Sequence, residues 1–197
     1  VAAISLEIAQ RSVDAAVIEY EVLEATITPQ DAMTKTLFVL PEKRFVQGDA
    51  RAAIDQAPHS IQGEQYVRGQ EHFYLEGQIC HCVPTEDRGV HIISSSQHPT
   101  EVQKLVAKVL AIEFNQVQVE VRRMGGGFGG KESQAAALAC TAAIFARRNQ
   151  RPVKFRMPRQ DDMVQTGKRH DFWNRYEVGF DDDGLIHGVT MDLAAMC

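Results

Sequence analysis

The densest chemistry in this sequence lies in RRMGGGFGGKE, residues 122–132, where five of the six residues from Gly125 to Gly130 are glycine. Such a run lets the backbone come close to a bound group or take conformations closed to other residues. Its N–H groups and the helix that follows could also hold an anion. Three readings are open. Gly125, Gly127 and Gly130 satisfy the G-x-G-x-x-G of a dinucleotide turn. That motif asks for an acid about 20 residues on, where the chain has Asn149, Gln150 and Arg151 and no acid before Asp161. Gly125, Gly130 and Lys131 fit a phosphate-binding P-loop, but Glu132 stands where a metal-binding hydroxyl belongs. In the third reading Glu132 is itself the functional group: a carboxyl in the first turn of a helix, favoured by the helix dipole and able to face a bound small molecule.

The elements that must position this loop are legible as periodicity. Val117, Val119 and Val121 alternate with polar residues, so 116–123 reads as a half-buried strand leading into the loop. An Ala-rich helix over 131–147 leads out of it, and alanine lets a helix pack closely on a sheet. Residues 99–112 read as an amphipathic helix, with Val102, Leu105, Val106, Val109 and Leu110 on one face and Pro99 at its first position. Strands are expected from Phe73 through Ile79, at 90–95 and at 153–157, and a hairpin over 172–193 turns at Asp183-Gly184. Upstream, 1–12 reads as a helix and 15–23 as a β-branched strand. Thr28-Pro29 and Asp49 start short helices. Residues 59–71 read as polar turns, and Pro158 with the following DDM as loop. The fold class is α+β, with mixed sheets and packed helices.

Composition excludes several classes of function. With 197 residues, 44% hydrophobic and 24% charged, the chain is neither disordered nor low-complexity. A formal net charge of −5 with sparse aromatics argues against nucleic acid. No apolar run reaches the roughly 20 residues of a membrane span. Cys80, Cys82, Cys140 and Cys197 do not make a disulfide scaffold, and a reducing cytoplasm is expected. On a strand, Cys80 and Cys82 share one face and His81 takes the other, so CHC reads as buried thiols and not a metal site. The basic run from Arg147 to Arg159 reads as cations at a helix end followed by a solvated strand face. The chain opens on VAAISLEIAQRSV and closes on the strand-like GVTMDLAAMC, as a piece of a longer polypeptide would.

RRMGGGFGGKE, together with GQEHFYLEGQ at 69–78, SSSQHPTEVQ at 94–103 and QTGKRHDFWNRYEVGF at 165–180, closely resembles the molybdenum hydroxylase family. The likeness is to its molybdenum-binding subunit or domain and covers roughly 15–197, and the HFYLE form points to the xanthine dehydrogenase branch. It implies that residues 1–35 end an upstream α/β, hammerhead-like domain. Residues 36–197 would be the first molybdopterin-cofactor-binding domain, truncated at its C-terminus. It further implies an enzyme that hydroxylates a purine such as hypoxanthine or xanthine beside a ring nitrogen. The oxygen would come from water, and the electrons would leave through [2Fe–2S] clusters and FAD held on partner subunits or domains. Gln97 and Phe128 would sit at the metal, with Gln97 donating to an oxygen ligand of molybdenum. Gly127, Phe128 and Gly129 would contact the cofactor, and Glu132 would bind the purine. The family's general-base Glu and a substrate-binding Arg are expected beyond Cys197. The segment would then be inactive alone, and the intact enzyme an oligomer.

Overall fold

The computed structural model describes residues 1–196. In chain order the helices and strands are α1 (Leu6–Asp14), α2 (Pro29–Thr34), α3 (Ala50–Gln56), β1 (His59–Val67), β2 (Ile79–Pro84), β3 (Val90–Ser94), α4 (Pro99–Leu110), β4 (Val117–Glu120), α5 (Gln134–Asn149), β5 (Val153–Arg156), α6 (Arg159–Gln165), β6 (Phe172–Phe180) and β7 (Ile186–Ala195). They fall into two compact units. One comprises Val1–Tyr20 with Glu71–Lys168, the other Glu21–Gln70 with Arg169 onward.

The first unit is built on a four-stranded sheet of order β4-β3-β2-β5. β2 runs antiparallel to β3 and β5, and β3 runs parallel to β4. Cys80, Cys82, Val90, Ile92 and Val117 are buried in a core shared with Val102 and Val106 of α4 and the apolar face of α5. That face is almost all alanine: Ala135, Ala136, Ala139, Ala142, Ala143 and Ala146 are buried with Leu138. Methyl-sized side chains bring the helix axis close to the strands, and dense packing replaces bulk. Arg147 donates to the carbonyl of Leu110 (2.9 Å), satisfying an orphan acceptor at the end of α4.

The second unit holds the antiparallel sheet β1-β6-β7 with α2 and α3. Gly179 and Gly188 are cross-strand partners. A Cβ on Gly179 would lie 2.7 Å from Ile54 Cα, and one on Gly188 2.7 Å from the Ala50 carbonyl. The glycine pair is the seat of α3, and Ile54 is its buried anchor. Thr28 and Asp49 cap α2 and α3 as their residue types predict. Gly184, at φ +80°, turns the β6–β7 hairpin.

Five local expectations are corrected. Residues 15–23 form no strand: Val17 and Val22 are 92% exposed, and a strand without a neighbour has no ladder to stabilise it. Residues 59–67 are a strand, paired throughout with β6, whose mostly exposed faces explain the polar sequence. The run from Phe73 is not a strand until Ile79. Leu75 is 94% exposed, and Phe73 takes a left-handed φ of +49°. Pro158 caps a helix, α6, and DDM lies inside it with Asp162 buried. The Ala-rich helix starts at Gln134 after Ser133, so Glu132 precedes it and is not in its first turn. Among the described residues no helix is long and apolar enough to cross a membrane, and no His, Cys or acidic cluster could hold a metal ion.

Burial pushes the Cys80 and Cys82 thiols from an ordinary 9.0 up to about 12. The unfolded chain ionises these thiols first as pH rises, so their burial lowers stability above about pH 9. Alkylation of the native protein at about pH 8 should leave both thiols unmodified, with labelling appearing only in denaturant. Peptide mass mapping reads this, and labelling of either thiol in the folded protein would contradict the packing.

Candidate functional site

The glycine loop joins β4 to α5 and is clamped by side chains from two other segments, 74–78 and 95–97. Glu76 holds its start. The Glu76 N–H donates to the Gly125 carbonyl (3.1 Å), and the Gly125 N–H donates back to Glu76 Oε2 (3.0 Å). The approach is so close that a Cβ on Gly125 would lie 2.6 Å from Glu76 Cβ. Gln97 holds its end. Gln97 Oε1 accepts the N–H groups of Gly129 (2.9 Å) and Lys131 (3.2 Å), while the Gln97 N–H donates to the Lys131 carbonyl (2.8 Å). Gln78 Nε2 donates to the Gly130 carbonyl (2.8 Å), and the loop closes on itself through Gly130 N–H to the Gly127 carbonyl (2.7 Å).

Beneath the loop lies a polar network whose Tyr74, Gln78, Ser95, Lys131 and Asp162 are buried and whose Glu76 is partly exposed. Lys131 is 0% exposed. Its ammonium donates to Glu76 Oε2 (2.9 Å) and Ser95 Oγ (2.7 Å) and stands 4.7 Å from the centre of the Tyr74 ring. The Ser95 hydroxyl in turn donates to Glu76 Oε2. Burial raises the Glu76 carboxyl, but Ser95, the Gly125 N–H and Lys131 outweigh it and hold the group below its usual range. The Tyr74 hydroxyl donates to buried Asp162 (2.7 Å) and accepts from Gln78 (2.8 Å). Burial, then the Asp162 bond, pushes Tyr74 up to about 12. Arg159 donates to the Tyr74 carbonyl (2.6 Å) and pins α6 to this segment.

Of the residues expected to act, Gln97, Gly127 and Gly129 are brought together. A Cβ on Gly127 would lie 2.4 Å from Gln97 Oε1. Phe128 stands at the loop tip, 73% exposed, in the left-handed region at φ +53°. Glu132 is exposed, one residue beyond the Lys131 N–H that Gln97 accepts, and makes no side-chain hydrogen bond among the described residues. Sequence reasoning did not single out Glu76, Gln78, Tyr74 or Asp162. Their signal is the polar pair Glu76 and Gln78 inside an apolar run, which alternation alone reads as a strand. The loop does not present the lysine of a P-loop: the N–H groups of Gly125, Gly129, Gly130 and Lys131 already have acceptors, and the Lys131 ammonium is sealed in an ion pair.

This α+β architecture is that of oxidoreductases of known structure. The aldehyde oxidoreductase of Desulfovibrio gigas superposes with a TM-score of 0.84 at 22% identity, covering 97% of this chain and 22% of that one. The quinoline 2-oxidoreductase of Pseudomonas putida 86 gives 0.83 at 20% identity, covering 96% and 25%. At those identities the likeness is one of fold. In sequence, the xanthine dehydrogenase of Dictyostelium discoideum is 42% identical over 178 residues, 90% of this chain and 13% of its own length. Aldehyde oxidase 2 of Macaca fascicularis is 39% identical over 186 residues, 93% of this chain and 14% of its own length. A family model described as the molybdopterin cofactor-binding domain matches residues 30–197, and the chain belongs to that family. It spans 13 to 15% of the length of the curated relatives it matches.

Gly127→Ala should displace the Gln97 amide, because the new methyl and Oε1 cannot share one position. The Gly129 and Lys131 amide hydrogens should then exchange faster, by about tenfold or more, in the intact protein. Hydrogen exchange read by mass spectrometry checks this. Unchanged protection would mean that Gln97 does not hold the loop.

Proposed function

We propose that this chain is part of a molybdenum hydroxylase that oxidises a purine-type nitrogen heterocycle, and that it supplies one wall of the cofactor and substrate site. The observation that carries this reading is the amide of Gln97. Two backbone N–H donors occupy its oxygen, while its NH₂ group, on an exposed residue, makes no hydrogen bond among the described residues. An amide N–H donates to an oxygen acceptor without adding charge. That suits an oxo-type ligand of molybdenum.

The neighbouring residues fit the same group. Gly127 keeps free the space that a Cβ would take from Gln97. Phe128 is both strained and exposed. A left-handed φ costs a non-glycine residue about 1–3 kcal/mol, and an exposed ring gains nothing from burial. Neither cost is offset within the loop, and both are explained if the ring covers a bound cofactor and excludes water. Molybdenum–molybdopterin, once bound by Gln97, Gly127, Phe128 and Gly129, supplies the oxidation of a ring carbon. Glu132, exposed at the mouth of the loop, orients the heterocycle by hydrogen bonding to its ring nitrogens and stabilises charge that develops on it.

The preference for purines over aldehydes rests on Glu132 and the HFYLE segment, since relatives of both names share about 40% identity with this chain. The remaining parts of the reading follow the family. Electrons leave to [2Fe–2S] and FAD carriers on other domains or subunits of a cytoplasmic oligomer. Residues 1–35 belong to an upstream domain, and 36–197 to the first cofactor-binding domain.

The test is made on the intact enzyme. Glu132→Ala should retain full molybdenum content while purine-dependent acceptor reduction falls tenfold or more, about 1.4 kcal/mol of lost transition-state stabilisation. Turnover of a simple aldehyde should fall much less. Unchanged turnover of every purine would remove Glu132 from the substrate site.

A further inference from the structure

Glu76 has no role in the reading above, yet one of its carboxylate oxygens gathers three donors from three places. They are the Gly125 N–H at the loop start, the Lys131 ammonium at the loop end, and the Ser95 hydroxyl from the segment that carries Gln97. Both ends of the loop, at Gly125 and at Lys131, are therefore tied to one atom. The tie extends to Gln97 by two routes. Gln97 lies two residues after Ser95, and it accepts the Lys131 N–H. Lys131 is fully buried, while the Glu76 side chain is 38% exposed. The two members of the pair are thus unequal. Without Glu76, a sealed ammonium loses its counter-charge, whereas without Lys131 the carboxylate still reaches water.

We propose that Glu76 is the positioning residue of this site: through Gly125, Ser95 and Lys131 it sets where the Gln97 amide and the Phe128 ring stand. The inference rests on the cofactor reading of the loop, and it goes beyond that reading by assigning the geometry to a carboxylate that touches neither cofactor nor substrate. Ion pairs that serve only to fold a chain can be replaced by neutral pairs with stability recovered. A positioning clasp cannot, because a neutral pair does not gather the same three donors.

The experiment compares the intact enzyme with Glu76→Gln, with Glu76→Gln/Lys131→Met, and with Ser95→Ala. Glu76→Gln should lower both thermal midpoint and kcat. The double variant removes the unpaired ammonium and should recover the midpoint, yet keep kcat down by about tenfold with the KM of the heterocycle changed less than twofold. It should also release molybdenum and pterin to a chelator several-fold faster than wild type and show an altered molybdenum EPR signal. Ser95→Ala leaves the ion pair in place and guards against a double variant that does not fold. It should speed cofactor release severalfold while the midpoint falls only by the loss of the Ser95 bonds to Lys131 and Glu76, less than in Glu76→Gln. If the double variant recovers kcat and EPR signal along with stability, or Ser95→Ala releases cofactor at the wild-type rate, Glu76 is only a folding residue. If the wild-type enzyme carries no molybdenum or pterin at all, the cofactor reading itself fails instead.

Discussion

The first unit is organised around an ammonium group that water does not reach. Moving a charge out of water costs several kcal/mol even after relaxation, and only close, well-directed partners offset it. Lys131 has them in Glu76, Ser95 and the Tyr74 ring. Each partner comes from a segment without regular structure, so satisfying this one charge fixes the path of three loops at once. Tyr74 is fixed in turn by Asp162, and Asp162 by the turn of α6 that buries it. The chain of consequence runs from one buried cation outward to the surface.

The sheet and helices set the distances this network needs. β3 ends at Ser94, one residue before the hydroxyl that meets Lys131, and β4 ends at Glu120, a few residues before the loop. The two strands are parallel neighbours, so their C-terminal ends deliver Ser95, Gln97 and the glycine loop to the same edge of the sheet. α5 then carries the chain away, its alanine face lying on Cys80, Cys82 and Ile92. A bulkier face would lift the helix and with it the loop end. The closeness of α5 and the closeness of Gly125 to Glu76 are two expressions of one tight fit.

Much of this was legible from residue types. The Pro99 helix, the short strand β3, the alternation of β4 and β5, the Thr28 and Asp49 caps and the Asp183-Gly184 hairpin all follow local rules, and the structure keeps them. The glycine loop with Gln97 was legible through its block of residues, and the structure brings Gln97 against Gly129. The segment from Phe73 to Gln78 misled because its alternation is real but serves a different end. Tyr74, Glu76 and Gln78 point polar atoms into the network while Leu75 is left outside. β1 misled for the opposite reason. Its register is supplied by β6, more than a hundred residues away, and a strand exposed on both faces has no apolar period to read.

The orientation of Gln97 shows how much a neutral side chain gains from such a frame. Its oxygen and nitrogen are nearly the same size, so shape alone would leave the amide free to turn over. A flip would set the NH₂ group against the Gly129 and Lys131 N–H groups and leave both donors without an acceptor. At about 1 kcal/mol for each lost bond, the low end for a part-buried donor, the flipped form is disfavoured about thirty-fold. The amide therefore presents donors, and only donors, beside the loop. A lysine there would also donate, but with a mobile charge, and a glutamate would offer no donor to replace the amide's. Glutamine at 97 satisfies both sides of the contact at once, and it does so because Glu76 and Lys131 hold the loop where its two N–H groups meet the amide oxygen.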